Sequence, residues 1–150
     1  MKIESYLRES PVFTINAIYE QIVTGVNLEL RAEGVNLLQG LVLTALLFEE
    51  DPKVTPSQLA KTFQTSKGNI SHAISHLEYK GLVKRNVSRE DARKFHLELK
   101  PEGRKLAYRL IKFYDRLQEM FEEKLGVQAC KKTVISMIGL KEAYQAWAEK

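Results

Sequence analysis

Residues 55–81 read TPSQLAKTFQTSKGNISHAISHLEYKG, and their spacing predicts two helices joined by a tight turn. Thr55 is an N-cap type, Pro56 suits the first helical position, and Gln58 falls where a capping box needs it. Leu59, Ala60 and Phe63 then share the inward face of a short helix. Gln64-Thr65-Ser66 is a polar turn. A longer helix follows, from Ser66 or Lys67 to Lys80, with Ile70, Ala73, Ile74 and Leu77 on one face. Gly81 sits where a left-handed cap would close it.

Downstream the period changes from helical to alternating. Val83, Arg85 and Val87 alternate with Lys84 and Asn86, and Phe95, Leu97 and Leu99 alternate with His96 and Glu98. Two half-buried strands are implied. The charged stretch 88–94, SREDARK, joins them as a long hairpin loop. Short helix, turn, longer helix and basic-tipped hairpin together make a winged helix-turn-helix. Upstream, 36–50 is a helix apolar nearly all round, which implies burial on most sides. The Glu49-Glu50-Asp51-Pro52 run ends it. Ser10-Pro11 opens an earlier helix with an N-cap and a first-position proline, and Gly34 stops it. Pro101 opens a long helix in which Leu106, Leu110, Phe113, Leu117 and Met120 step by four and three, the spacing of a helix seam. Gly126 ends it. A last helix is expected from about Lys131 to Trp147. The fold class is therefore mainly α with a small β-hairpin wing, one domain over 1–150. The winged lobe lies at about 36–100, between helices at 10–34 and 101–150 whose apolar faces predict self-association.

Composition narrows the function. The 150 residues, 44% hydrophobic and 28% charged, suit one globular domain. A single cysteine, Cys130, excludes an internal disulfide framework and fits a reducing compartment. Met1–Ser10 lacks the apolar stretch of a secretory signal. The apolar run Leu37–Phe48 is shorter than the roughly 20 residues a membrane span needs. A soluble cytoplasmic, nucleoid-associated protein with no membrane partner is expected. The net charge is +4, yet it is concentrated: 61–94 holds eight basic against three acidic residues, a local +5, which leaves −1 elsewhere. Such clustering is an electrostatic footprint for a polyanion. Charge alone would equally describe a solvated basic face. The elements that carry it favour double-stranded DNA.

The second helix of such a unit enters the major groove. Opposite Ile70, Ile74 and Leu77 it carries Lys67, Asn69, Ser71, His72, Ser75 and His76, with Ser66 at its start. Asn69 has the donor and acceptor to read adenine, and Lys67 could reach guanine or a phosphate. Lys61, Thr55 and Ser57 lie where the first helix would cross the backbone. Arg89, Arg93 and Lys94 at the wing tip suit the negative potential of a minor groove.

These residues carry a family resemblance. The stretch 36–106 resembles the MarR family of bacterial transcription regulators in Gln58-Leu59-Ala60, Asn69-Ile70-Ser71, Leu77 to Arg85, the wing Asp91-Ala92-Arg93, and Pro101-Glu102-Gly103. The terminal helices match in position and character rather than in motif. The resemblance implies an obligate homodimer with intertwined terminal helices and two winged lobes reaching a pseudo-palindromic operator. It also implies a small-molecule effector pocket between the dimer region and the lobes. In the family the wing aspartate orients the wing arginine, the roles implied for Asp91 and Arg93. Two positions depart from the pattern. His72 stands where arginine or lysine is usual, which bears on base preference. Lys100 stands where threonine is usual, which affects only capping.

Other chemistries fit less well. His72 and His76 are four apart, a metal-ligand spacing, but no third ligand lies nearby in sequence. No metal or cofactor is expected. Cys130, beside Lys131 and Lys132, reads as a packing thiol at a helix start or as a redox switch with a lowered pKa. The Leu106–Met120 stripe reads as core, dimer seam or the wall of a ligand cavity. There is no GxSxG, GxGxxG, Walker loop or HExxH, so no catalytic residue is assigned and no enzyme is expected. The expected function is a dimeric, sequence-specific DNA-binding regulator, a repressor relieved by a small-molecule effector whose contacts the sequence leaves unassigned. The alternative is a winged-helix protein-interaction or architectural module without a defined operator.

Overall fold

Caps and turns set the element boundaries. The computed structural model describes residues 2–49, 54–87 and 95–149. In chain order these form α1 (Lys2–Glu9), α2 (Pro11–Leu30), a 3-10 turn (Arg31–Glu33), α3 (Leu37–Phe48), α4 (Pro56–Thr62), α5 (Lys67–Tyr79), β1 (Val83–Val87), β2 (Phe95–Leu99), α6 (Pro101–Leu125) and α7 (Val127–Ala148). The fold is mainly helical with a two-stranded antiparallel hairpin. Two compact units divide it, Met1–Tyr108 and Arg109–Lys150.

In the first unit, α5 packs on α3 and α4, β1 on α5, β2 on α3, and α2 on α3. Asn36 and Gln39 form a reciprocal capping box at the start of α3, with bonds of 2.9 and 3.0 Å. Helices α3 and α5 pack together, and Val42 and Leu43 of the first and Ile70, Ile74 and Leu77 of the second have no exposed surface. Gly81 at φ 69° lets the chain leave α5 in the left-handed region. Its amide donates to the Glu78 carbonyl at 2.9 Å, and the Leu82 amide to the Leu77 carbonyl at 2.9 Å. The strands pair in the register Val83↔Leu99, Arg85↔Leu97 and Val87↔Phe95. The Leu97 amide also donates to the Val54 carbonyl at 3.0 Å, tying the segment before α4 to the hairpin.

Several boundaries differ from the sequence reading. Helix α1 was not anticipated; KIESYLRE is amphipathic but has no buried residue to mark it. Ser10 and Pro11 start α2 as expected, although the Ser10 side chain makes no capping bond among the described residues. Helix α3 ends at Phe48 because Glu49 turns extended, at φ −85° and ψ 107°; the Glu50–Pro52 part of its expected stop lies outside the described residues. Phe63 is the half-buried C-cap of α4 rather than a core side chain. Helix α7 starts at Val127, directly after Gly126 and before the expected Lys131. Val87, expected inward, is 58% exposed, because β1 runs out beyond the helical core towards the hairpin tip.

In the second unit Gly126 separates the end of α6 from α7. No described residue of α7 is buried, and Ile135 and Trp147 are 68% and 71% exposed. Cys130 is half-buried in its first turn. No single described helix is long and apolar enough to cross a membrane. The Tyr114 hydroxyl is shut off from solvent without a hydrogen-bond partner among the described residues. Burial pushes its ionisation up to about 12. An unfolded tyrosine ionises near 10, so the neutral form contributes stability that is complete below about pH 10 and is lost as pH rises towards 12. Thermal melts between those values should fall less steeply for Tyr114→Phe than for the parent.

Candidate nucleic-acid interface

Helix α5 has two chemically opposite faces. Ile70, Ala73, Ile74 and Leu77 are buried, while Lys67, Asn69, Ser71, His72 and Ser75 are exposed. An apolar stripe at helical spacing turns these five outward together, onto one polar surface of small side chains and one cation. The structure thus brings together five of the six residues expected on the outward face of this helix.

The start of α5 is tied down by hydrogen bonds. Ser66 Oγ accepts from the Asn69 amide at 3.0 Å, an N-cap bond. Thr65 Oγ1 accepts from Asn69 Nδ2 at 3.0 Å. Thr55 caps α4, accepting from the Gln58 amide at 3.3 Å while Gln58 Oε1 accepts from the Thr55 amide at 2.7 Å. Ser57 and Lys61 stand exposed on α4. His76 differs from its expected outward place. It is half-buried, and its Nδ1 is shut off from solvent without a hydrogen-bond partner among the described residues.

Between α5 and the hairpin lies Arg85. Its Nη2 donates to Ser75 Oγ at 2.8 Å, and its Nε lies 3.2 Å from Glu78 Oε2. Its guanidinium carbon stands 5.2 Å from the centre of the Phe95 ring. One β1 side chain therefore grips two residues of α5 and one of β2, fixing the root of the hairpin to the helix. On the outer face Glu98 accepts from Asn86 at 2.6 Å and pairs with Lys84 at 3.0 Å. The Lys84 contact, then the Asn86 one, holds the Glu98 carboxyl below the usual carboxylate range. Arg89, Asp91, Arg93 and Lys94 lie outside the described residues; the described strands end at the pair Val87↔Phe95 that flanks them.

Thr65 and Arg85 were missed as positioning groups. A signal existed for each: Thr65 is four residues before Asn69, and Arg85 is a charge on the inward phase of a strand, which needs a partner.

Comparison with known proteins follows the same elements. Residues 33–94 match a family model described as MarR family. The winged-helix region is similar to the MarR family over that stretch. Over 74 residues the chain is 38% identical to the HTH-type transcriptional regulator PrsX of Escherichia coli, covering 49% of this chain and 45% of that protein. The transcriptional repressor MprA of Escherichia coli is 31% identical over 77 residues, 51% of this chain and 44% of that protein. The match therefore spans less than half the length of these curated relatives. A Staphylococcus aureus MepR–DNA complex superposes with a TM-score of 0.82 at 19% identity, over 89% of this chain and 98% of that one. Streptococcus pneumoniae FabT in complex with DNA gives 0.64 at 21% identity, over 99% and 96%. At such identities the fold is what these structures share with the chain.

Proposed function

We propose that the chain is a homodimeric, sequence-specific DNA-binding transcription regulator, and that it represses until a small-molecule effector releases it. The exposed polar face of α5, held rigid by its buried opposite face, carries this reading. Lys67, Asn69, Ser71, His72 and Ser75 meet base edges in the major groove. Arg93, oriented by Asp91, enters the minor groove. Arg89 lies beside it in that groove, and Thr55, Ser57, Lys61, Ser66 and Lys94 meet the backbone around them. Apolar side chains on the terminal helices, such as Phe13 at 43% and Trp147 at 71% exposure, support self-association of the segments 10–34 and 101–150. The names of the relatives, a transcriptional regulator and a transcriptional repressor, support the regulatory part. Such a protein works in the cytoplasm, on the nucleoid.

Selection of sites from a random duplex pool tests the proposal, with Arg93→Ala alongside. A two-fold motif, weakened in the variant, is the expected outcome. Salt-sensitive retention of all sequences without a motif would instead mean an architectural role, and no retention would mean a protein-interaction module. Phosphate contacts have their own signature. Lys61→Ala and Lys94→Ala should weaken all duplexes alike and each lower the slope of log affinity against log salt by about 0.9. Titrations at several salt concentrations read that slope directly.

A further inference from the structure

We infer that Thr65, which lies outside the proposed base-reading face, is a specificity-determining positioning residue that acts through Asn69; the inference rests on the DNA-binding reading above. A carboxamide on an exposed helix turn rotates freely, and each orientation offers a base a different donor and acceptor pattern. Thr65 removes that freedom. Its Oγ1 accepts one of the two Asn69 Nδ2 hydrogens at 3.0 Å. One N–H and the carbonyl oxygen remain, the pair that adenine N7 and N6 require.

The hydroxyl can do this because its own backbone is fixed. The Thr65 amide donates to the Ala60 carbonyl at 3.1 Å, and the Gln64 amide to the Lys61 carbonyl at 3.3 Å. These two bonds close α4 around Gln64, which sits at φ 50°. Thr65 is thereby anchored to the end of one helix while it holds a side chain of the next. Ser66 holds the main chain of the same residue, through the Asn69 amide. Asn69 is thus fixed at both its backbone and its side chain before any base approaches, so less ordering remains to be done on binding.

The test compares sites selected from a random duplex pool by the full-length parent, Thr65→Val, Thr65→Ser and Asn69→Ala, with thermal melts of each. Valine keeps the shape and removes the acceptor; serine keeps the acceptor. For Thr65→Val, discrimination should fall about five- to tenfold at the one base pair that Asn69→Ala also relaxes, a part of what a bidentate contact supplies. The rest of the motif, nonspecific affinity and its salt slope should be unchanged, and Thr65→Ser should select the parental motif. If Thr65→Val unsettles the turn, Thr65→Ser against Thr65→Ala carries the same comparison. A parental motif from the acceptor-less variants, with Asn69→Ala still relaxed, overturns the role of Thr65 and leaves DNA reading intact. An Asn69→Ala motif identical to the parent's overturns it too. No motif for the parent removes the DNA reading and this inference with it.

Discussion

Gly103→Ala is expected to destabilise the protein by about 3 kcal/mol or more, as overpacking against an immobile neighbour does. At this chain length that corresponds to a melting temperature roughly 10 °C lower. A Cβ on Gly103 would overlap the Leu82 carbonyl oxygen and stand 2.9 Å from the carbonyl carbon and 3.2 Å from Leu99 Cδ2. The peptide it strikes cannot retreat. The Leu82 carbonyl accepts from the Lys100 amide at 3.0 Å, and the Leu82 amide closes the end of α5 on Leu77 at 2.9 Å. Moving it would loosen α5, β1 and the start of α6 together. Gly68→Ala is the matched control, because its Cβ would meet only Ser66 Oγ, at an ordinary 3.7 Å. It should leave stability unchanged or raise it by up to about 1 kcal/mol. Differential scanning calorimetry of both variants checks the contrast. Equal melting temperatures would remove the close approach of Gly103 from the account.

Ile74→Ala should lower stability by about 2–5 kcal/mol, the range for truncating a fully buried aliphatic side chain. Ile74 has no exposed surface, and Ile70, Leu77, Val42 and Leu43 are buried to the same degree in the packing of α3 and α5. The cavity would open beneath the polar face, so duplex binding should weaken in step with the folded fraction. His72→Ala, two residues away on the exposed side, should change stability by no more than about 0.5 kcal/mol. Any binding it loses is lost with the fold intact. Chemical denaturation beside duplex titration separates the two faces. A stable Ile74→Ala protein that no longer binds would contradict the division.

The same division explains what was legible in the sequence. Ile70, Ala73, Ile74 and Leu77 announce a helix face by period alone, and Thr55-Pro56-Ser57-Gln58 and Asn36 with Gln39 announce helix starts by side-chain chemistry. Gly81 announces a stop by backbone geometry. Local signals of this kind survive without knowledge of the neighbours. The turn residue Gln64 was harder, since a non-glycine residue at φ 50° is held there by bonds from its own amide and that of Thr65 back to the end of α4, which form only with the completed helix. Helix α1 carries only a short amphipathic pattern of eight residues, and none of them is buried in a core. At the interface, the outward residues of α5 could be read by subtraction from the inward ones. The Arg85 contacts could not, because they join Ser75, Glu78 and Phe95 across 20 positions of sequence through a strand register no local pattern sets.

The joint between α4 and α5 also fixes the count of residues. Gln64, Thr65 and Ser66 are each committed, to the closing turn of one helix or the opening turn of the next. One residue added within the first turn of α5 would rotate everything after it by about 100°, carrying Ile74 towards solvent and a polar neighbour into the core. Substitutions along α5 can therefore re-tune its outer face one side chain at a time, whereas insertions and deletions there scramble both faces at once. New binding preferences in such a protein are open to change of letter and closed to change of length.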